Sequence, residues 1–214
     1  MSTLIICAGK SMSPAPGRYD SVGFDCAVME AASSVCPPYD GRKFNPEGKT
    51  VLIGEGMPAL DTAEKLLLPC SWTVDPLLNE IPLRSFTDTQ RSYTDRQWMK
   101  KAATQRKLGD SRQQESHGAA KVRADRLIER ISDGDYILIT YPEFLSVLLE
   151  RLRVHGYVIQ RTGFMRIQPW ERFLISPKEA HCGGCQHNCF LSNPGCGVGR
   201  DKAARKGIPY TLGL

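Results

Sequence analysis

The sequence predicts an α/β fold built on a mostly parallel sheet, with a small cysteine knuckle at its C-terminal end. Three observations carry this expectation. Short apolar runs, STLIIC at 2–7, TVLI at 50–53 and YILIT at 136–140, have the length and continuity of strands covered on both faces. Segments of helical character follow each of them, and alternating strand and helix is the pattern of parallel strands joined by crossovers. Beyond Pro177 the composition changes abruptly to glycine, cysteine and basic residues.

The first strand ends near Cys7 and runs into a Gly, Ser and Pro-rich stretch, the signature of a buried strand entering a functional loop. A helix is expected over 23–35, then a turn-rich segment (PPYDGRKFNPEG), then the strand at 50–53. Pro58 falls in the first turn of the next helix, where a missing N–H costs nothing, and Pro69 stops it, so that helix is short. WTVDPLLNEI contains a further strand-like piece, whereas 86–114 is polar, basic and poorly periodic and reads as an insertion or lid outside the core. From Ser116 to Ile131 the positions Ala120, Ala124, Leu127, Ile128 and Ile131 recur at helical spacing. After the strand at 136–140 a helix runs from about Glu143 to His155, with Gly156 suited to a left-handed cap. Residues 157–176 read as one or two strands near an edge of the sheet.

The 214 residues, 41% hydrophobic and 24% charged, fit one globular domain with an appendage, divided here as 1–176 and 177–214. No apolar run approaches the roughly 18 residues of a spanning helix, and LIIC near the start has no charged region before it, so a soluble cytoplasmic protein without membrane contact is expected. The net charge is +5, and residues 84–130 hold twelve Lys or Arg against six Asp or Glu. Such a run reads as a solvated helical face.

Four segments, in order, resemble the histidine phosphatase (phosphoglycerate-mutase-like) superfamily across about residues 3–160. LIICAGKS resembles the family's opening strand and loop, TVLIGEGMPALDTAEKLL its second strand and helix, and LLNEIPL its short acidic segment. ESHGAAKVR and YILITYPEFLSVLLERL resemble its closing helix and strand, with Arg123 seven residues after Ser116. The resemblance implies a three-layer sandwich with a mostly parallel central sheet. It also implies a reaction in which a histidine attacks phosphorus, arginines neutralise the phosphoryl oxygens, a second histidine steadies the transition state and a carboxyl protonates the leaving group.

At the matching positions this chain lacks that machinery. Cys7 and Ala8 stand at the first-strand Arg-His pair, Pro58 at the helix-start arginine and Tyr141 at the second histidine; only Glu80, the nominal acid, is kept. Alanine is no nucleophile and a carboxylate alone does not transfer phosphate, so the resemblance implies a pseudoenzyme with a binding or regulatory role. An enzyme of altered chemistry, redox or phosphate-ester, in the same cleft is the alternative. Other site patterns fail. Gly9, Lys10 and Ser11 look like the end of a phosphate-binding loop, but Leu4 occupies the position of its first glycine. A cysteine phosphatase centred on Cys7 needs an arginine where Ser13 stands. Cys7 is read as a small core residue before a reactive thiol, and His117 and His155 have no partner at a diagnostic spacing.

Cys182, Cys185, Cys189 and Cys196 form C-x2-C-x3-C-x6-C within fifteen residues, separated by glycines and a proline that permit tight reversals around one ion. Four soft ligands suit structural zinc, which leads; an iron–sulfur cluster is the alternative. His181 and His187 flank the first three cysteines and can replace one or support it. Arg200, Lys202, Arg205 and Lys206 follow, with only Phe190 and Tyr210 as nearby aromatics, so nucleic acid is not the expected partner. The partners expected instead are another protein or a small anionic ligand.

Overall fold

Six strands form one mixed sheet in a computed structural model that describes residues 3–46, 48–161, 166–177, 191 and 196–205. In chain order the elements of the sheet and its crossovers are β1 (Thr3–Cys7), α1 (Ser21–Ala32), β3 (Thr50–Ile53), α2 (Met57–Leu66), β4 (Thr73–Val74), α4 (His117–Arg130), β6 (Tyr136–Thr140), α5 (Pro142–Val154), β7 (Tyr157–Arg161) and β8 (Arg172–Pro177). Two further short strands, β2 (Arg18–Tyr19) and β5 (Tyr93–Thr94), pair antiparallel with each other and lead into α3 (Asp95–Leu108).

The order across the sheet is β4-β3-β6-β1-β8-β7. β4, β3, β6 and β1 are mutually parallel, and β8 runs antiparallel to β1. The register places Cys7 beside Thr140 and Ile53 beside Ile139, so three parallel strands end together.

Alternating side chains of these strands serve two separate cores, as the twofold period of a strand demands. Ile5, Leu52 and Leu138 pack with Leu127, Leu145 and Leu148 of α4 and α5. Ile6, Val51, Ile53, Ile137 and Ile139 pack with Ala59, Ala63 and Leu66 of α2. Both faces are thus helix-covered, a three-layer arrangement, which is why the central strands are apolar except for a threonine at one end of each. Each such side chain contributes roughly 1.5–3 kcal/mol by leaving water. The predicted elements fall within a few residues of these, and Gly156, at φ 79°, ends α5 in the left-handed conformation its missing Cβ permits.

The segment 86–114 differs from expectation: it holds an ordered helix, α3, whose Trp98, Ala102 and Arg106 form a buried stripe. Trp98 stacks on Phe24 of α1 at 5.2 Å, contacts Phe86 at 4.6 Å and donates its Nε1–H to the Tyr19 carbonyl at 2.9 Å. Helical periodicity was invisible because the stripe consists of one aromatic, one alanine and one arginine. The stretch WTVDPLLNEI also departs in part: only Thr73–Val74 is strand, and Pro76–Leu78 is a 3-10 turn capped by Asp75. Nor is the basic run simply solvated, since Arg106, Arg112, Lys121, Arg123 and Arg130 all form ion pairs.

By its internal contacts the chain divides into two compact units, Met1–Ser176 and Pro177–Leu214. Among the described residues of the second, Gly197–Arg205 form a helix, α6. Among the described residues, no helix is long and apolar enough to cross a membrane.

Candidate functional site

The carboxyl ends of parallel strands are where ligands of open α/β sheets bind, because loops diverge there and helices begin. In this chain β1, β3 and β6 deliver Cys7–Ala8, Gly54–Glu55 and Tyr141 to one edge. Ala8 donates its N–H to the Thr140 carbonyl at 2.8 Å and Gly54 to that of Ile139 at 2.9 Å, so strand pairing continues into the loops.

Large side chains fill this edge. Tyr141 is fully buried, and its hydroxyl donates to the Glu55 carbonyl. Its ring presses so closely on the β3 loop that a Cβ on Gly54 would lie 3.0 Å from it, and one on Gly56 2.9 Å from its hydroxyl. Burial pushes the Tyr141 phenol well above its ordinary range. On the other side the indole of Trp170 lies directly on Gly9, where a Cβ would come within 2.2 Å of a ring carbon. Only glycine permits that approach. Trp170 holds a left-handed backbone, φ 66°, which is strained for a residue with a Cβ. Its N–H reaches the Cys7 carbonyl at 3.2 Å, and its ring packs against Tyr39 at 4.9 Å. Tyr39 in turn accepts from Arg172 Nη2 at 2.9 Å.

Cys7 and Ala8 are both fully buried. Burial, with the charges of Glu80 and Glu171, raises the Cys7 thiol far above its usual value and keeps it protonated. Pro58 occupies the first turn of α2; its carbonyl accepts from the Thr62 hydroxyl at 2.5 Å and from Cys36 Sγ at 3.3 Å. The Thr62 hydroxyl also accepts from Gly9 N–H at 2.9 Å, tying the β1 loop to α2.

Glu80 faces a different surrounding. Its Oε1 accepts from Ile81 and Phe144 N–H, both at 2.9 Å, and its Oε2 from Glu143 N–H at 3.3 Å. It therefore caps the first turn of α5, whose own N-cap, Tyr141, offers no side-chain acceptor. Those amides lower its pKa, but burial outweighs them and pushes it up to about 7. Arg123 holds the same segment in place: it grips Glu115 at 2.8 and 2.7 Å, donates to the Leu77 and Asn79 carbonyls at 3.0 and 2.7 Å, and lies 3.9 Å from the Phe144 ring centre. Ser116 caps α4 by accepting from Ala119 N–H at 3.1 Å. The residues that resemble family motifs here thus act in caps and ion pairs.

Beside Glu80 opens a cavity of about 250 Å³ that sequence reasoning missed. Met12, Ile81, Leu83 and Met99 contribute apolar wall, and Asn79, Glu80, Arg106 and Glu143 contribute polar groups. Arg106, 8% exposed, reaches Glu143 Oε2 through Nη2 at 3.4 Å, whereas its buried Nη1 has no hydrogen-bond partner among the described residues. The sequence signal for the helix that carries it is the capping box Thr94–Gln97, which the structure forms. His117 lines a smaller neighbouring cavity of about 130 Å³, and His155 Nε2 pairs with Asp125 at 2.9 Å.

Cys182, Cys185, Cys189, His181, His187 and Lys206 lie outside the described residues. Cys196, the fourth cysteine, precedes α6, and its Sγ accepts from Gly199 N–H at 3.5 Å.

The geometry defines an α/β protein with a six-stranded, mostly parallel mixed sheet. Compared with protein-family models, curated proteins and solved structures, the chain matches none of them.

Proposed function

We propose that residues 1–176 are a histidine-phosphatase-like domain that has lost phosphoryl transfer and serves in binding or regulation. We further propose that residues 177–214 carry one metal ion, zinc before an iron–sulfur cluster, on Cys182, Cys185, Cys189 and Cys196. The observation that carries the first part is the filling of the β1–β3–β6 edge. Where the family reaction needs a histidine and room for a phosphoryl group, Ala8 is buried, Trp170 covers Gly9, and Tyr141 is bonded to the β3 loop.

Phosphate release from p-nitrophenyl phosphate between pH 5 and 8 tests this. The expected rate equals that without protein; saturable turnover would overturn the reading. Elemental analysis with a visible spectrum on anaerobically purified chain tests the second part. One zinc and no colour is expected, while iron with acid-labile sulfide would replace zinc by a cluster.

A second reading, an enzyme of altered chemistry, has one observation in its favour. Glu80, with a pKa near 7, lines a cavity and can exchange a proton at neutral pH. Turnover of any substrate that is lost in Glu80→Gln would favour it. Cys7 gives it no support, because a protonated, buried thiol is a poor nucleophile.

A further inference from the structure

The cavity of about 250 Å³ beside the strand ends has an acidic wall in a basic chain. Glu55, Glu80 and Glu143 line it against a single cation, Arg106, although the chain as a whole carries a net charge of +5. That cation is engaged already, since Arg106 Nη2 donates to Glu143 Oε2 at 3.4 Å. The other two carboxylates are fixed by neutral donors. Asn79 accepts from Glu55 N–H at 2.7 Å and returns its Nδ2 to Glu55 Oε2 at 2.8 Å. Glu80 is held by the amides of Ile81, Phe144 and Glu143 at 2.9, 2.9 and 3.3 Å. Among the described residues neither Glu55 nor Glu80 forms an ion pair. Burial first, and the like charge of Glu143 after it, push Glu80 up to about 7 against the pull of those amides. The ionised wall therefore lacks a positive charge, while Ile81, Leu83 and Met99 give the cavity an apolar lining.

We propose that this cavity binds a primary alkylammonium ion, with its N–H donors directed to the carboxylates of Glu80 and Glu55 and its hydrocarbon body against Ile81, Leu83 and Met99. Sign, head group and size define the class. An anion would add to the repulsion among the three carboxylates, whereas a cation relieves it. An ammonium carries three donors, and a carboxylate has about four acceptor sites, not all of which the described donors fill at either glutamate. A quaternary ammonium has no N–H and is held by aromatic faces, and none of the lining residues is aromatic. A dry cavity of about 150 Å³ holds benzene, so this one takes a molecule of roughly ten non-hydrogen atoms.

The inference rests on the binding reading above and deepens it by naming a site and a ligand class. Calorimetric titration of the full chain at pH 8 with octylammonium, 1-octanol, octanoate and octyltrimethylammonium tests it. At that pH Glu80 is mainly ionised, and an alkylamine, which titrates near ~10.4 as lysine does, stays protonated. Octylammonium is expected to bind saturably and at least about tenfold more tightly than any of the other three. Ala103→Phe, which fills the cavity from α3, should abolish its binding. Glu80→Gln should abolish the preference for octylammonium over octanol. Glu55→Gln, at an exposed position away from the α5 cap, should weaken octylammonium at least about threefold and leave octanol unchanged. Octanol or octanoate binding as tightly as octylammonium would overturn the proposal, as would undiminished octylammonium binding by Ala103→Phe or by both glutamine variants. Equal binding of octyltrimethylammonium would overturn the primary-ammonium class. Phosphate-ester turnover alongside octylammonium binding would sink the non-catalytic reading and leave the cavity proposal standing; no turnover and no octylammonium binding would sink the cavity proposal alone.

Discussion

Two regions at the same end of the sheet are built in opposite ways. Where β1, β3 and β6 end, Tyr141 and Trp170 are packed closely against glycines, and the thiols of Cys7 and Cys36 are buried, with burial raising the pKa of each. Next to it, between the Glu80 segment, α3 and the start of α5, space remains, and it is walled by a carboxyl near pKa 7 and an arginine with an unused donor. In one region polar groups tie loops together around packed aromatics; in the other they cap α5 and pair with one another beside an open space. The lesson is that the sheet terminus of an α/β fold is a place for chemistry only when its side chains leave room, and that here the room has moved sideways onto a helix.

The largest expected effect breaks the filled region. Tyr141→Ala should cost about 3–5 kcal/mol of stability in urea unfolding, because it empties a fully enclosed site. Tyr141→Phe should cost only about 1 kcal/mol, for the bond to the Glu55 carbonyl. Gly9→Ala follows at about 1–3 kcal/mol, since its methyl would enter the Trp170 indole. In a Trp170→Ala background the same change should cost far less, and additivity of the two would show that the contact is not formed.

The open region gives smaller, pH-dependent effects. A carboxyl raised from 4.5 to about 7 by folding binds its proton more tightly in the folded state. Its contribution to stability is therefore fully present below about pH 4.5 and is lost as pH rises through 7, by about 3 kcal/mol. Glu80→Gln should flatten the stability profile across that window, and an unchanged slope would contradict the burial of Glu80. Smallest is Arg106→Met: it removes a buried donor without a partner and should leave stability unchanged or raise it by about 1 kcal/mol, as read by thermal unfolding.

The filled region and the open one were not equally legible in the sequence. β1, β3 and β6 could be read because strands covered on both faces are apolar throughout, and α4 and α5 because leucines and alanines mark one face. Cys7, Ala8, Glu80 and Tyr141 could be placed at strand and segment ends for the same reason. Trp170 could not be placed over Gly9, because a contact spanning 161 residues and a left-handed tryptophan leave no local pattern. Arg106 was hidden for a different reason: a buried arginine on a stripe with one aromatic looks like one more charge in a basic run. Of the cysteine knuckle only Cys196 is among the described residues, so the proposed ligand set rests on spacing alone.

The most direct measurement is alkylation of the native chain by iodoacetamide at pH 8, read peptide by peptide in a mass spectrometer. Cys26 is exposed and Cys7 buried, so Cys26 should be modified promptly and Cys7 only after denaturant unfolds the sheet. Modification of Cys7 at a rate comparable to Cys26 in the native protein would mean that the strand-end cleft is open and reactive, and would contradict the account.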